Sequence, residues 1–600
     1  RYYTAEDHTA PVRTVQFAYD KLGNLTSWDD GKASGTYTYD DLGRKLSETV
    51  DYGPFSKTYR YAYYANGRKK SFTYPSGTTI GYTYDKNNRL AGIDIPGSGT
   101  VTRSYDAAHW NRPAKTTLPG GGSTGYAYDA LMRTGTSTAK DPGGNPVMIR
   151  SYEYSPSGNL AGKTTQSGSH AYEYDAMDRL VTAEHPVLPD ESYSYDPMGN
   201  RLTASGPAGE WQYSADNELL SRPGSSGPVT YDHDTDGNRV SKTENGVVNT
   251  YVYNLSNRLT QVWQGGEGTG TQIASYHYGP FGRRLWKEVD GERTFYLYSD
   301  EGLIGEYDAA GSEIKTYGRL PDAPWGTNPL FLKQDGTCYW YLNDRQGTPQ
   351  KLVMSNGLVV WSARYDAFGN CTVETEAVTS NLRFAGQYYD AETGLHYNLN
   401  RYYDPATGRY MTSDPLGDGL NLYAYCYNNP NRFTDPLGLC AVAAVQTGVK
   451  GGWYWMNRTA SDGWDWWSDV AITTWGFWSD WHFEGRHFLN RDLPSYQEIT
   501  GNPNWIKLSQ SQSIFHDNSK GLPELKYIHP DGREVVYDGD TKKIITDPKY
   551  IGTYNYVNPA PVPKRPSDLK GWGIFVVKGG GHIITDVLPY KILGNVRGPN

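Results

Sequence analysis

The sequence predicts a mainly β protein in which hairpins pair side by side and curl into a spiral wall, followed by a small α+β tail. Three observations point there. A Tyr-x-Tyr-Asp motif recurs through the first half. The composition favours aromatics and turns, with 52 Tyr, 18 Trp, 68 Gly and 35 Pro in 600 residues. The repeat then disappears after Leu439. Only 37% of residues are apolar, which suits a β-wall braced by aromatic ladders better than a thick multilayer core.

The repeat reads Tyr-x-Tyr-Asp, a few residues with Gly or Asn, then Arg or Asn and Leu. Copies stand at 37–46 (YTYDDLGRKL), 82–90 (YTYDKNNRL), 172–180 (YEYDAMDRL) and 193–202 (YSYDPMGNRL). The second aromatic returns with a period of roughly 21 residues, the mark of a repeat architecture. Alternation along a strand puts both tyrosines on one face. Asp with Gly or Asn turns the chain, and Arg-Leu opens the return strand, so each copy is one hairpin. A lone hairpin is marginal and exposes its edges, so neighbours pair and the twisted sheet spirals. The repeated Asp and Arg are left open between solvated turn residues and ladders along the wall.

A size check follows. A tail of about 160 residues folds to a ball about 40 Å across, and a wall around it needs about 30 strands per turn. About 20 hairpins supply only a little more than one turn of a belt about 20 Å high. The expectation is a C-terminal part of a longer shell, an open cage, or a partly unfolded tail. Arg1 is not an initiator residue, so sequence carrying any targeting signal is expected before it.

Residues 1–320 are taken as shell, 321–439 as its terminus and 440–600 as the tail. The formal net charge of −9 gives no global basic surface for nucleic acid. Cys338, Cys371, Cys426 and Cys440 are too widely spaced for a zinc pattern or a disulfide framework. That favours a reducing compartment during synthesis. No apolar run is long enough for a membrane helix.

The stretch 401–439 (RYYDPATGRYMTSDPLGDGLNLYAYCYNNPNRFTDPLGL) holds Asp-Pro-Leu-Gly twice, at Asp414 and at Asp435. Two carboxylates brought together would share a proton near neutral pH, one serving as base on water and the other polarising a carbonyl. Asp-Pro is also ordinary turn chemistry, as at Asp141, Asp196, Asp404 and Asp547, and by spacing alone that is the favoured reading. Arg364 and Arg401 are candidates to lie beside the pair and lower one carboxylate's pKa.

This stretch resembles the end of the core of Rhs (rearrangement hotspot) proteins, members of the wider YD-repeat group, and the likeness runs over about residues 15–439, including WYLNDRQGTPQ, VWSARYDAFGN and LRFAGQYYD. The resemblance implies a hollow, cocoon-like β-shell around a C-terminal toxin. It also implies an intramolecular aspartic protease that frees the toxin without a metal or cofactor. Carried onto this sequence, the catalytic pair is Asp414 and Asp435, with cleavage between Leu439 and Cys440. It further implies synthesis in a bacterial cytoplasm, secretion or delivery into a target cell by a secretion apparatus or chaperone, an immunity protein in the producer, and a role in competition between bacteria. The C components of Tc insecticidal toxins, which act on eukaryotic cells, resemble this chain more distantly. A structural or adhesive YD-repeat surface protein without protease activity is the alternative.

The tail carries eight Trp between residues 453 and 481, with Trp464, Trp467, Trp475 and Trp478 at helical spacing. Core packing or contact with the shell wall explains them better than a membrane surface, because the flanks are acidic. Short strands are expected at 526–528, 534–537, 543–545 and 574–577, with 559–566 (PAPVPKRP) as an extended linker. His516 with Asp517, His529, and His582 after three glycines are the candidate toxin residues; His482 and His487 lie near the Trp cluster. They would suit a nuclease or a nucleotide-using transferase, without diagnostic spacing for either.

Overall fold

In most repeats a tyrosine-bearing strand ends on a turn-forming aspartate, and in the computed structural model that unit builds an antiparallel ribbon. The structure describes residues 13–107 and 112–443, and in the tail the strands Ile506–Lys507, Glu524–Ile528, Glu534–Asp538, Trp572–Gly579 and His582–Pro589. The chain divides into two units, Arg1–Gly448 and Val449–Asn600.

In the first unit, an 18-stranded sheet runs from β1 (Gln16–Tyr19) to β18 (Arg201–Ala204), and a 16-stranded sheet from β19 (Gln212–Tyr213) to β34 (Cys371–Glu376). Each strand pairs antiparallel with the next in sequence. A backbone hydrogen bond from Trp211 N–H to the Leu202 carbonyl, 2.9 Å, bridges the break between the sheets.

The hairpin of β3 (Ser34–Tyr39) and β4 (Lys45–Asp51) shows why the motif has its residues. The Asp40 carboxylate accepts the amides of Leu42 and Arg44 and the Arg44 Nε at 2.6 Å, so one side chain closes the turn. Gly43 takes φ 73°, which a side chain resists. The Arg44 guanidinium also lies 4.7 Å over the ring of Tyr63 in the next hairpin. Arg89, Arg133 and Arg179 repeat both contacts, with Tyr105, Tyr154 and Tyr195. The Asp–Arg pairs therefore close turns and form a ladder at once.

A second ladder joins the hairpins. The hydroxyl of the last tyrosine donates to a backbone carbonyl one repeat back: Tyr39 to Leu25, Tyr84 to Lys69, Tyr105 to Leu90, Tyr128 to Pro113 and Tyr195 to Leu180, all at 2.8–3.0 Å. The strand register slips by one just before this tyrosine, a bulge that adds local twist.

The ribbon meets itself sooner than the size check expected. Tyr52, after β4, donates to the Tyr296 carbonyl within β27 (Glu292–Ser299), and Lys45 bonds Asp300 at 2.5 Å. Further along, Arg150 reaches Gln350 at 2.6 Å. The first meeting joins strands 23 apart in the ribbon and the second strands 19 apart, both short of about 30. The size check took the curvature from the tail, whereas bulge twist and the aromatic core shared by residues 28–148 and 285–353 set it.

After β34 the chain forms a separate four-stranded sheet: β35 (Tyr388–Asp390), β36 (Leu395–Asn398), β37 (Arg401–Asp404) and β38 (Arg409–Tyr410). This sheet and the segment that follows it, as far as Asn429, lie against the row of repeat turns. The Arg258 guanidinium bonds the Leu399 carbonyl and Asn400, Tyr423 bonds the Gly237 carbonyl, Asn428 that of Gly199 and Asn429 that of Asp178. Arg284, fully buried, pairs with Asp390 and is ringed by Tyr276, Tyr296, Tyr388 and Tyr397.

In the second unit, Glu524–Ile528 pairs with Glu534–Asp538 and with Ile506–Lys507, and Trp572–Gly579 pairs with His582–Pro589. Three of the four expected strands fall inside these. The fourth, at 543–545, and the Trp-rich helix lie outside the described residues.

Candidate active site

The two Asp-Pro-Leu-Gly segments form the same backbone turn, with Gly417 N–H donating to the Asp414 carbonyl and Gly438 N–H to that of Asp435. Both glycines sit at positive φ, 70° and 64°. Only the second is enclosed: a Cβ on Gly438 would lie 2.4 Å from the Asn398 carbonyl oxygen, whereas one on Gly417 would meet nothing within 4 Å.

The turns bring their aspartates to one arginine. Nη2 of Arg401, the first residue of β37, lies 2.7 Å from Asp414 Oδ2 and 3.1 Å from Asp435 Oδ2. All three side chains are 3% exposed, so the charges meet away from water. The guanidinium also stacks 3.5 Å over the Tyr410 ring and donates through Nε to the Gly438 carbonyl at 2.8 Å. Arg401 thus holds both carboxylates and the segment that precedes Leu439.

Asp435 has four donors. Oδ2 accepts from Arg401 and from the Tyr410 hydroxyl at 2.8 Å; Oδ1 accepts the backbone amides of Leu439 at 3.0 Å and Cys440 at 3.3 Å. Asp414 accepts one hydrogen bond, from the Leu416 amide on Oδ1 at 2.7 Å, and its Oδ2 forms an ion pair with Arg401. Burial pushes the Asp414 carboxyl up to about 6 against the pull of Arg401. Burial likewise raises Asp435, opposed by Arg401, Tyr410 and the two amides. Arg401 tunes the pair as expected, yet it does not bring either carboxyl below its ordinary range, because desolvation outweighs one shared cation. Arg364 plays no part there; its guanidinium is engaged by Glu374 and Ser167.

The peptide bond between Leu439 and Cys440 is fixed from both sides. Upstream, the Leu437 carbonyl accepts from the Asn400 amide and side chain, and the Asp435 carbonyl from Asn398. Downstream, Ala441 N–H reaches Asp418 at 3.4 Å, and Val442–Ala443 pairs with Phe433–Thr434. Burial, followed by the charge of Asp435, pushes the Cys440 thiol up to about 12, which argues against a thiolate nucleophile at this bond.

A model of the teneurin YD-shell matches residues 3–160 and 158–433. The chain belongs to the teneurin YD-shell family. Among curated relatives, double-stranded DNA deaminase toxin A of Burkholderia cenocepacia is 27% identical over 72% of this chain and 30% of its own length. The tRNA3(Ser)-specific nuclease WapA of Bacillus spizizenii is 30% identical over 70% of this chain and 16% of its own. Toxin protein Tse5 of Pseudomonas aeruginosa is 26% identical over 72% of this chain and 38% of its own. This YD-shell chain therefore spans well under half the length of these relatives. In the crystal structure of TcdB2-TccC3-Cdc42, a chain superposes with a TM-score of 0.61 at 18% identity, covering 73% of this chain and 26% of that one. That likeness extends to the fold.

Sequence reasoning missed Tyr410 and Asn398. Both lie within or beside the strands that flank Arg401, and the Tyr-rich composition hid them, since nothing local separates a tyrosine bonded to a carboxylate from one in the aromatic core. Among the described residues no cluster of His, Cys, Asp and Glu suits a metal. His516, Asp517 and His529 lie outside the described residues, as does the side chain of His582, whose backbone pairs with Gly579.

Proposed function

We propose that this YD-shell cuts its own chain between Leu439 and Cys440 by aspartic chemistry, and so frees a C-terminal toxin. The observation that carries the reading is the grip of Asp435 Oδ1 on the Leu439 and Cys440 amides while its other oxygen shares Arg401 with Asp414. Two carboxyls raised by burial around one cation favour a singly protonated pair near neutral pH. Water adds to the Leu439 carbonyl carbon and gives a proton to the ionised aspartate, while the protonated one donates to the carbonyl oxygen. Collapse breaks the C–N bond, the first proton passes to the Cys440 nitrogen, and the second returns to its aspartate.

The toxin names of the relatives support an enzymatic tail acting on nucleic acid, with nucleotide-using transfer as the other class. With it we propose delivery into target cells in competition between bacteria, with an immunity protein protecting the producer and a secretion apparatus or chaperone as partner, which the resemblance to Rhs proteins implies. Intact-mass spectrometry on the denatured chain beside Asp414→Asn and Asp435→Asn tests the cleavage. Two fragments joining at Leu439–Cys440 in the parent and an uncut chain in both variants are expected. One uncut 67.0 kDa species in all three would refute it.

A further inference from the structure

The two aspartates of the pair are not equivalent, and the difference lies in their donors. A carboxylate offers about four lone-pair sites. Those of Asp435 are all taken by donors: Arg401 Nη2, the Tyr410 hydroxyl and the amides of Leu439 and Cys440. A proton placed there displaces one of them. Asp414 accepts the Leu416 amide and faces Arg401 as an ion pair, which leaves room for a proton.

Tyr410 is the donor whose direction is set by a further contact. Its oxygen accepts Asn398 Nδ2 at 2.8 Å, which leaves its own hydrogen for Asp435 Oδ2, 2.8 Å away. Asn398 is anchored in turn to the Asp435 carbonyl at 2.7 Å. The ring lies beneath Arg401, so the hydroxyl has little freedom to seek another partner. Arg401 pairs by charge with both carboxylates and adds a hydrogen bond to Asp435; Tyr410 serves Asp435 alone.

We propose that Tyr410 is a positioning residue that settles where the proton of the pair resides, holding Asp435 as the base and leaving Asp414 as the acid. The proposal rests on the cleavage reading above. It also gives Asp435 both proton steps: Oδ1 takes the proton from water as its longest hydrogen bond, from Cys440 N–H at 3.3 Å, gives way, and Cys440 N is the atom that needs that proton when the C–N bond breaks. Asp414 gives its proton to the carbonyl oxygen and recovers it at collapse.

The test is the pH profile of cleavage. The full chain is refolded from denaturant into buffers from about pH 4.5 to 9, and the cut fraction is timed by intact mass. The parent should lose rate on the alkaline side near the Asp414 value of about 6. Tyr410→Phe should raise the acidic limb by about one pH unit and slow the optimum about tenfold, the worth of one unit of displacement. A 3-fluorotyrosine at position 410, a stronger donor of nearly the same size, should move the acidic limb the other way. Profiles that superimpose after scaling, or opposite shifts, overturn the proposal while Asp414→Asn and Asp435→Asn stay uncut. Cutting by either Asn variant at the parental rate overturns the cleavage reading itself.

Discussion

A Gly438→Ala chain is expected to build its shell and lose self-cleavage. The new Cβ would stand 2.4 Å from the Asn398 carbonyl oxygen and 3.2 Å from the Arg401 amide, and both obstacles are backbone. Ordinary contact requires a retreat of about 1 Å, and a misplacement of that size costs on the order of 100-fold in rate. The retreat pulls on the Gly438 carbonyl held by Arg401 Nε and on the peptide held by Asp435. Positive φ adds roughly 1–2 kcal/mol of strain in either turn, so Gly417→Ala is the matched control: its φ is 70° and its Cβ meets nothing. The assay is the cut fraction against time after refolding, with the melting transition of each variant measured alongside. The reasoning predicts cleavage within a few-fold of the parent for Gly417→Ala and at least about 100-fold slower for Gly438→Ala. Equal rates, or a larger loss at Gly417, would refute it.

Other expectations follow from the same contacts. Asp390→Ala leaves Arg284 buried without its carboxylate partner and should destabilise the four-stranded sheet by about 3–5 kcal/mol, read as a lower denaturation midpoint and slower cleavage. Tyr105→Phe and Tyr128→Phe each remove one rung of the hydroxyl ladder; about 1 kcal/mol apiece is expected from denaturant melts. The Asp366 carboxyl is pushed up to about 7 by burial and then by Glu191, while unfolded it titrates near its ordinary value, about 4. The native state therefore binds the extra proton between those values, so its contribution to stability is full below about pH 4 and is lost as pH rises through about 7. Glu191→Gln should flatten the fall in melting temperature across that window.

Much of the shell was legible in the sequence because its rules are local. Tyr-x-Tyr sets a face, Asp closes a turn upon its own Arg or Asn, and neighbouring hairpins have only each other to pair with. The winding was not legible, since the meeting of Tyr52 with Tyr296 and of Arg150 with Gln350 depends on twist summed over many strands. At the site, the repeated tetrapeptide pointed to Asp414 and Asp435, and Arg401 stood in the same stretch. Their contrast was hidden: the donors that distinguish the two carboxylates are a tyrosine hydroxyl and two backbone amides, which no motif records. The sequence also overestimated Arg401, whose single charge is shared between two desolvated carboxylates. Arg364 was drawn to the pair only by its place in a neighbouring motif, and its strand faces Glu374 instead.

The most direct test of the central claim reads the new terminus. Cleavage between Leu439 and Cys440 leaves an amino-terminal cysteine, whose adjacent amine and thiol condense with 2-cyanobenzothiazole as no internal cysteine does. After refolding and denaturation, the account predicts that the tail fragment alone takes the label, beginning at Cys440, and that neither Asp414→Asn nor Asp435→Asn yields any labelled fragment. A parent chain with no labelled fragment, or labelled tails persisting in both variants, would contradict it.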